Sequence, residues 1–285
     1  MPVTRFAVLD VETTGLRSTD RIVEAAVVVL DGNLTTIDEF DTLIDPRRDI
    51  GPTGIHGITA GMVTTAPGFD EVAGAIAGRI AGCILVAHNL PFDVRMLALE
   101  FERLGSELQP GRGFDTLLST GRALEVACEV HSIPLRHHHR ALADAQATAA
   151  LLRLFHEDDG TYQAAAVLRA PMGEAVRTLR REAVQIDLPA MPRIRPARQY
   201  PTSDGQWLAY LDALNWVLDD AVIDQTEREQ LDSLARDMGL DPIATTRMHT
   251  HYLQQLVDAA TRDGIVTAQE RGLLDRVAGA LGVDN

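Results

Sequence analysis

Two kinds of apolar periodicity alternate through the first 160 residues. Residues 5–10 (RFAVLD) and 22–30 (IVEAAVVVL) are β-branched and apolar, and the Thr-Gly and Asp-Gly-Asn steps between and after them read as turns. A sheet therefore begins at the N-terminus. Helical spacing is predicted over 71–82, a buried strand over 84–89 (ILVAHN), a helix over 93–104 with Val94, Leu97, Ala98 and Phe101 on one face, and a strong helix over 140–155. Strands first, then helices and strands in alternation, predict an α/β fold in which helices cover a mixed sheet. A last helix is predicted over about 163–184. After it comes LPAMPRIRPARQYPTSDG, whose Pro189, Pro192, Pro196 and Pro201 are denser than any helix interior or central strand accepts. This places a boundary near 186–205 and divides the chain into 1–160, a helix with a basic Pro-rich linker over 161–202, and 203–285.

The last block repeats itself at an offset of 43: Leu231-Asp232 matches Leu274-Asp275, Ala235 matches Ala278, Gly239 matches Gly282 and Asp241 matches Asp284. Each copy carries a capping box, Asp224 to Glu227 and Thr267 to Glu270. Apolar residues at helical spacing follow: Leu231, Leu234, Ala235 and Met238, then Leu274, Val277, Ala278 and Leu281. Two helix pairs packed as a second, smaller all-α domain are predicted. The alternating acids and central glycine of a calcium loop are absent around Asp219, Asp220, Asp263 and Gly264.

Composition narrows the classes. With 285 residues, 46% apolar and 24% charged, the chain can bury a full core, which excludes disorder as its main state. No apolar run approaches the roughly 18 residues of a spanning helix, and MPVTRFAVLD lacks the order of a secretory signal, so a soluble, unexported, cytoplasmic protein is expected. Cys83 and Cys128 lie apart in apolar surroundings and read as small buried hydrophobes. All 26 basic residues are arginine, which excludes lysine Schiff-base chemistry and a Walker-type phosphate loop. The net charge of −15 is uneven: residues 1–160 hold 13 Arg against 23 acids, 161–202 hold 7 against 3, and 203–285 hold 6 against 15. Two acidic blocks flank a basic connector.

Placed on the predicted elements, the acids form a series. Asp10 and Glu12 end a hydrophobic strand two residues apart, so both carboxylates fall on one face. Like charges so close need a cation between them or a proton on one of them, and without lysine a divalent metal is the economical candidate. Asp93 follows the strand ILVAHN at the start of a helix, and Asp144 lies five residues after His139 on the helix beginning near Arg140.

The segments FAVLDVETTGL, LVAHNLPFDVRML and HRALADAQATAALL resemble, in order and spacing, the three exonuclease motifs of the DEDDh (DnaQ-like, RNase T-like) superfamily. Residues 55–59 (IHGIT) and 114–117 (FDTL) resemble the segments between them, so the likeness covers about residues 4–158. It is similar to the proofreading exonuclease of bacterial DNA polymerase III. The resemblance implies an RNase H-like fold and a 3′→5′ exonuclease releasing nucleoside 5′-monophosphates from DNA 3′ ends, in repair or proofreading. RNA-trimming enzymes share the fold and the acids, so RNA stays open, as does a partner-binding protein with incidental activity. The resemblance further assigns Asp10, Glu12, Asp93 and Asp144 to two divalent ions, Mg²⁺ or Mn²⁺, an ion pair that clamps both sides of a phosphodiester. Within that assignment Asp10 bridges the ions, Glu12 and Asp144 complete the site of the attacking water, and Asp93 supports the ion facing the leaving oxygen. His139 has the family's spacing to Asp144 and takes the proton from the water; His137 and His138 are read as solvated loop residues.

For substrate contact the resemblance points to Thr13, Thr14, Gly15 and Leu16 after the first strand, and to His88, Asn89 and Phe92 in the AHN-x-x-FD segment. His56, alone in a loop, reads as structural or solvated. In the connector, Gln185, Ile186, Asp187 and Leu188 resemble the short peptide by which bacterial polymerases and repair enzymes dock on the sliding clamp, with Pro189 in place of the usual apolar anchor. The repeat in 203–285 resembles TerB-like helical domains, which implies an interaction or regulatory module.

Overall fold

The computed structural model describes residues 4–135, 138–157, 160–171, 177–181, 199–218, 225–261 and 268–283. Three strands open the fold: β1 (Phe6–Thr13), β2 (Ile22–Leu30) and β3 (Thr36–Leu43). Two short helices, α1 (Thr53–His56) and α2 (Ala60–Val63), lead into α3 (Phe69–Ile80), β4 (Ile84–Ala87) and α4 (Leu90–Arg103). Then come β5 (Glu107–Gln109), β6 (Phe114–Asp115), α5 (Thr116–Thr120), α6 (Leu124–Val130), α7 (Ala141–Phe155) and β7 (Ala166–Leu168). The main sheet has the order β3-β2-β1-β4-β6, antiparallel across β3, β2 and β1 and parallel from β1 through β4 to β6. The predicted α/β architecture is what forms.

The alternation of β1 decides which residues reach which layer. Ala7, Leu9 and Val11 face a core with Val72 and Ile76 of α3 and Met96, Leu97 and Phe101 of α4. Phe6 and Val8 face the opposite side, where Ala141, Ala145, Ala149 and Leu152 of α7 close on the sheet. Three alanines at intervals of four let that helix come close to the strands, so Asp144 is carried to the same face as Asp10 and Glu12. At the other end of α4, Pro91 in the first turn replaces an N–H that has no helical partner anyway. That helix begins at Leu90, three residues before the predicted start, and places Asp93 in its first turn.

Past residue 160 the structure departs from expectation. Within the stretch predicted as a helix over 163–184, Ala166–Leu168 is a strand paired antiparallel with β5. Its Ala-rich sequence favours helix locally, but pairing with a strand far back in the chain, Ala166 against Gln109, 57 positions earlier, overrides propensity. Leu179 exchanges hydrogen bonds with β3, accepting from Leu43 N at 2.8 Å and donating to Thr42 Oγ1 at 3.0 Å.

The C-terminal helices are α8 (Gly205–Val217), α9 (Gln225–Asp237), α10 (Pro242–Ala260) and α11 (Ala268–Leu281). Asp204 caps α8 by accepting from Gln206 N and Trp207 N, and Asp241 caps α10 by accepting from Ala244 N. The predicted capping residues Asp224 and Thr267 lie outside the described residues. Leu208, Leu211, Leu214, Leu231, Tyr252 and Val277 form the helical core, and Leu16, Leu117 and Ala123 of the first block are buried in that same cluster. The repeat block therefore packs on the sheet domain. Among the described residues no helix is long and apolar enough to cross a membrane.

Candidate active site

The ends of β1 and β4, the first turns of α4 and α7, and the segment preceding α7 meet at one cavity. Asp10, Glu12 and Asp144 each offer a carboxylate oxygen there, all within 4.8 Å of one another. Asp93 also lines the cavity, with its Oδ1 held by Val11 N at 3.0 Å. The quartet thus converges, with Asp93 slightly apart and tied to the backbone of β1.

Electrostatics follows from the crowding. Burial raises the Asp10 carboxyl well above the ordinary carboxylate range, and Asp144, Asp93 and Glu12 add to the effect. Glu12 is pushed up to about 8 by burial, then by Asp144 and Glu24, against a smaller opposing pull from Arg181. Burial raises Asp93 as well, against the hydrogen bond from Val11. Carboxylates so disposed hold protons unless a cation compensates them, and a set of oxygen donors suits a hard divalent ion. The residues present therefore fit a divalent metal.

Behind the acids runs a layer that sequence reasoning missed. Glu24 sits opposite Glu12 in the β1–β2 register and is buried. Arg181 reaches it at 3.2 Å, donates to the His139 carbonyl at 2.7 Å, and also donates to the His56 carbonyl. A charge in the middle of IVEAAVVVL was a legible signal for Glu24; Arg181, 157 positions away, had none. His56 is structural: its Nδ1 accepts from Ile58 N, and burial lowers its pKa to about 3, so it is neutral.

The histidines need one correction. His139 is buried beside Glu12, with Nδ1 at 3.9 Å from Glu12 Oε1, while its backbone N–H donates to Asp144 at 2.9 Å. His138, expected in solvent, instead lines the cavity and lies 3.2 Å from both Asp144 oxygens. A left-handed backbone at His139, φ 61°, brings the two adjacent rings into a stack with centroids 3.9 Å apart. No local pattern announces that conformation. His137 lies outside the described residues.

Of the residues expected at the substrate, Leu16, His88, Asn89 and Phe92 line the cavity. His88 has both ring nitrogens engaged, by Thr116 Oγ1 and the Arg122 carbonyl, each at 2.9 Å. Burial lowers it to about 4, so it presents a neutral ring. Thr13, Thr14 and Gly15 are turned inward instead. Thr13 Oγ1 donates to the Gly15 carbonyl and Thr14 Oγ1 to Asp20, while a Cβ on Gly15 would meet Asp20 Oδ2 at 2.7 Å and Gln230 Nε2 at 2.8 Å. Gln185, Ile186, Asp187 and Leu188 lie outside the described residues.

The family model for exonucleases of the RNase T type matches residues 7–152, a stretch that contains Asp10, Glu12, Asp93 and Asp144. The chain belongs to this exonuclease family. The exonuclease unit is 43% identical over 170 residues to a DNA polymerase III subunit epsilon-like protein of Rhodobacter capsulatus, an alignment covering 52% of this chain and 23% of that one. It is 34% identical over 163 residues to a 3′-5′ exonuclease DinG of Staphylococcus epidermidis, covering 53% of this chain and 18% of that one. The chain thus spans less than a quarter of the length of these relatives. Among solved structures it is similar to exonuclease X in complex with 5′ overhanging duplex DNA, at 29% identity and a TM-score of 0.44, over 55% of this chain and 93% of that one.

Proposed function

We propose that this exonuclease hydrolyses DNA from its 3′ end and releases nucleoside 5′-monophosphates one at a time. The observation that carries the reading is the convergence of Asp10, Glu12 and Asp144, within 4.8 Å of one another, beside His139 and inside the family-matched residues. The 3′→5′ direction and DNA as substrate draw on the relatives' names, an epsilon-like subunit of DNA polymerase III and a 3′-5′ exonuclease.

Asp10, Glu12, Asp93 and Asp144 would hold Mg²⁺ or Mn²⁺, two ions by analogy with the family. Such ions supply charge compensation at the phosphate and at the departing oxygen. The chain's own residues orient and move the proton. His139 accepts a proton from the attacking water as its oxygen bonds to phosphorus and the bond from phosphorus to the 3′-oxygen breaks, and the departing 3′-oxygen takes up a proton from solvent water. The ring is placed for this by its own backbone bond to Asp144 and by Arg181 on its carbonyl. The apolar floor of Leu16 and Phe92 keeps water away from the sugar and base of the terminal nucleotide.

The test is digestion of 5′-labelled single-stranded DNA, duplex DNA and RNA with Mg²⁺ or Mn²⁺. A ladder shrinking from the 3′ end is expected, with activity abolished in Asp10→Ala and lowered about 10²–10⁴-fold in His139→Ala. Internal cuts, or equal turnover by Asp10→Ala, overturn the reading; degradation confined to RNA transfers it to that substrate.

A further inference from the structure

The cavity has two chemically different walls. One is the carboxylate quartet with its histidines. The other comes from α8 of the C-terminal block, which presents Asp212, Ala213, Asn215 and Trp216 to the same space. The family's exonuclease residues end at 152, so this wall belongs to the part of the chain for which the exonuclease chemistry gives no account.

The wall is anchored. Asn89, at the head of α4, donates through Nδ2 to Asp212 Oδ2 at 3.2 Å and to the Ala209 carbonyl at 3.3 Å. Tyr200 Oη donates to Asp212 Oδ1 at 3.1 Å. Leu16 N donates to Gln230 Oε1 of α9 at 3.2 Å, and Arg17 pairs with Glu229. Tyr252 Oη donates to Asn215 Oδ1 at 2.8 Å, so that oxygen is engaged, and among the described residues nothing accepts from the amide's N–H donors. Trp216 lines the cavity, is half-buried and packs on the helical core, as does Phe92.

A cavity lined by carboxylates, an indole, an amide and the apolar Leu16 and Phe92 matches the division within a nucleotide, with an anionic phosphate at one end and a flat, hydrogen-bonding base at the other. We infer that α8 forms the base subsite of this exonuclease: Trp216 stacks on the base of the 3′-terminal nucleotide, and Asn215 donates to its acceptors. Trp216 is then a specificity-determining residue that distinguishes a terminus bearing a base from an abasic one. The assignment rests on the proposed nuclease reading for its ligand, a nucleoside 5′-monophosphate unit.

Two measurements separate it from that reading. In kinetics, Trp216→Ala raises KM for a 3′-terminal nucleotide bearing a base by about 5–150-fold, the range of one lost stacking contact. The same variant leaves KM unchanged on an oligonucleotide with an abasic 3′ end, and Trp216→Phe restores most of the loss. In binding, a Trp207→Phe background leaves Trp216 as the sole tryptophan of the two in the chain. With Mg²⁺ its fluorescence is quenched by deoxyadenosine 5′-monophosphate and unaffected by deoxyribose 5-phosphate. Quenching without hydrolysis would sink the nuclease reading and keep the base subsite. An equal KM penalty on both termini, faster turnover by Trp216→Ala, or absence of quenching overturns the subsite, the second outcome showing that α8 obstructs the site.

Discussion

Asp212 shows how a single side chain couples the two blocks. Burial pushes its carboxyl up to about 7, against the hydrogen bonds from Asn89 and Tyr200, with Asp115 adding to the rise. A folded-state pKa above the unfolded one means that the folded protein prefers the protonated acid. The stability this contributes is fully present below the ordinary carboxylate range, near 4, and is lost as pH rises toward 7. Asp212→Asn keeps an acceptor for its neighbours and removes the titration. Urea unfolding between pH 4 and 8 is expected to show a shallower decline for the variant, which becomes the more stable of the two by pH 8. Parallel curves would show that the carboxyl does not titrate in this window.

At the scale of elements, the decisive feature is the segment that returns to the sheet after the exonuclease motifs. Leu179 pairs with the end of β3, and two residues later Arg181 ties the back of β2 to the loop before α7. Glu24 and Arg181 are both largely buried, so breaking the pair from one side leaves an uncompensated charge. Arg181→Ala is expected to cost about 3–5 kcal/mol of stability and to lower turnover by loosening the His139 loop. Arg181→Met with Glu24→Gln should recover most of the stability, because neither charge is left behind. Chemical denaturation of the three proteins checks this; a double variant no better than Arg181→Ala would mean that packing, not charge, dominates. The strand at Ala166–Leu168 belongs to the same return path, and helix propensity gave no warning of it because its partner β5 lies far back in the chain.

For the whole molecule, the balance of charge bears on how the proposed nucleic-acid substrate would be held. A net charge of −15 and an acidic catalytic block leave little surface for neutralising a phosphate backbone. Contacts limited to the last one or two phosphates predict a shallow salt dependence, with log K falling against log salt at a slope of roughly −0.7 to −1.4. Binding isotherms of single-stranded DNA to His139→Ala at several salt concentrations measure it. A slope several times steeper would show that a longer track of phosphates is engaged, with the arginines of the 161–202 connector as its source.

Strand periodicity alone put Asp10 and Glu12 on one face, and the spacing along the chain put Asp93 and Asp144 in the first turns of helices, with His139 just before the second of them. Those positions hold because period-two and helical registers are local properties of the backbone. The α/β order and the two C-terminal helix pairs were legible for the same reason. What lay beyond the sequence were juxtapositions between distant segments: Arg181 on Glu24, His138 turned onto Asp144 by a left-handed backbone, and Trp216 lining the same cavity as the acids. These depend on how finished elements pack, and packing is a property of shapes meeting in space, for which no residue carries a sign by itself.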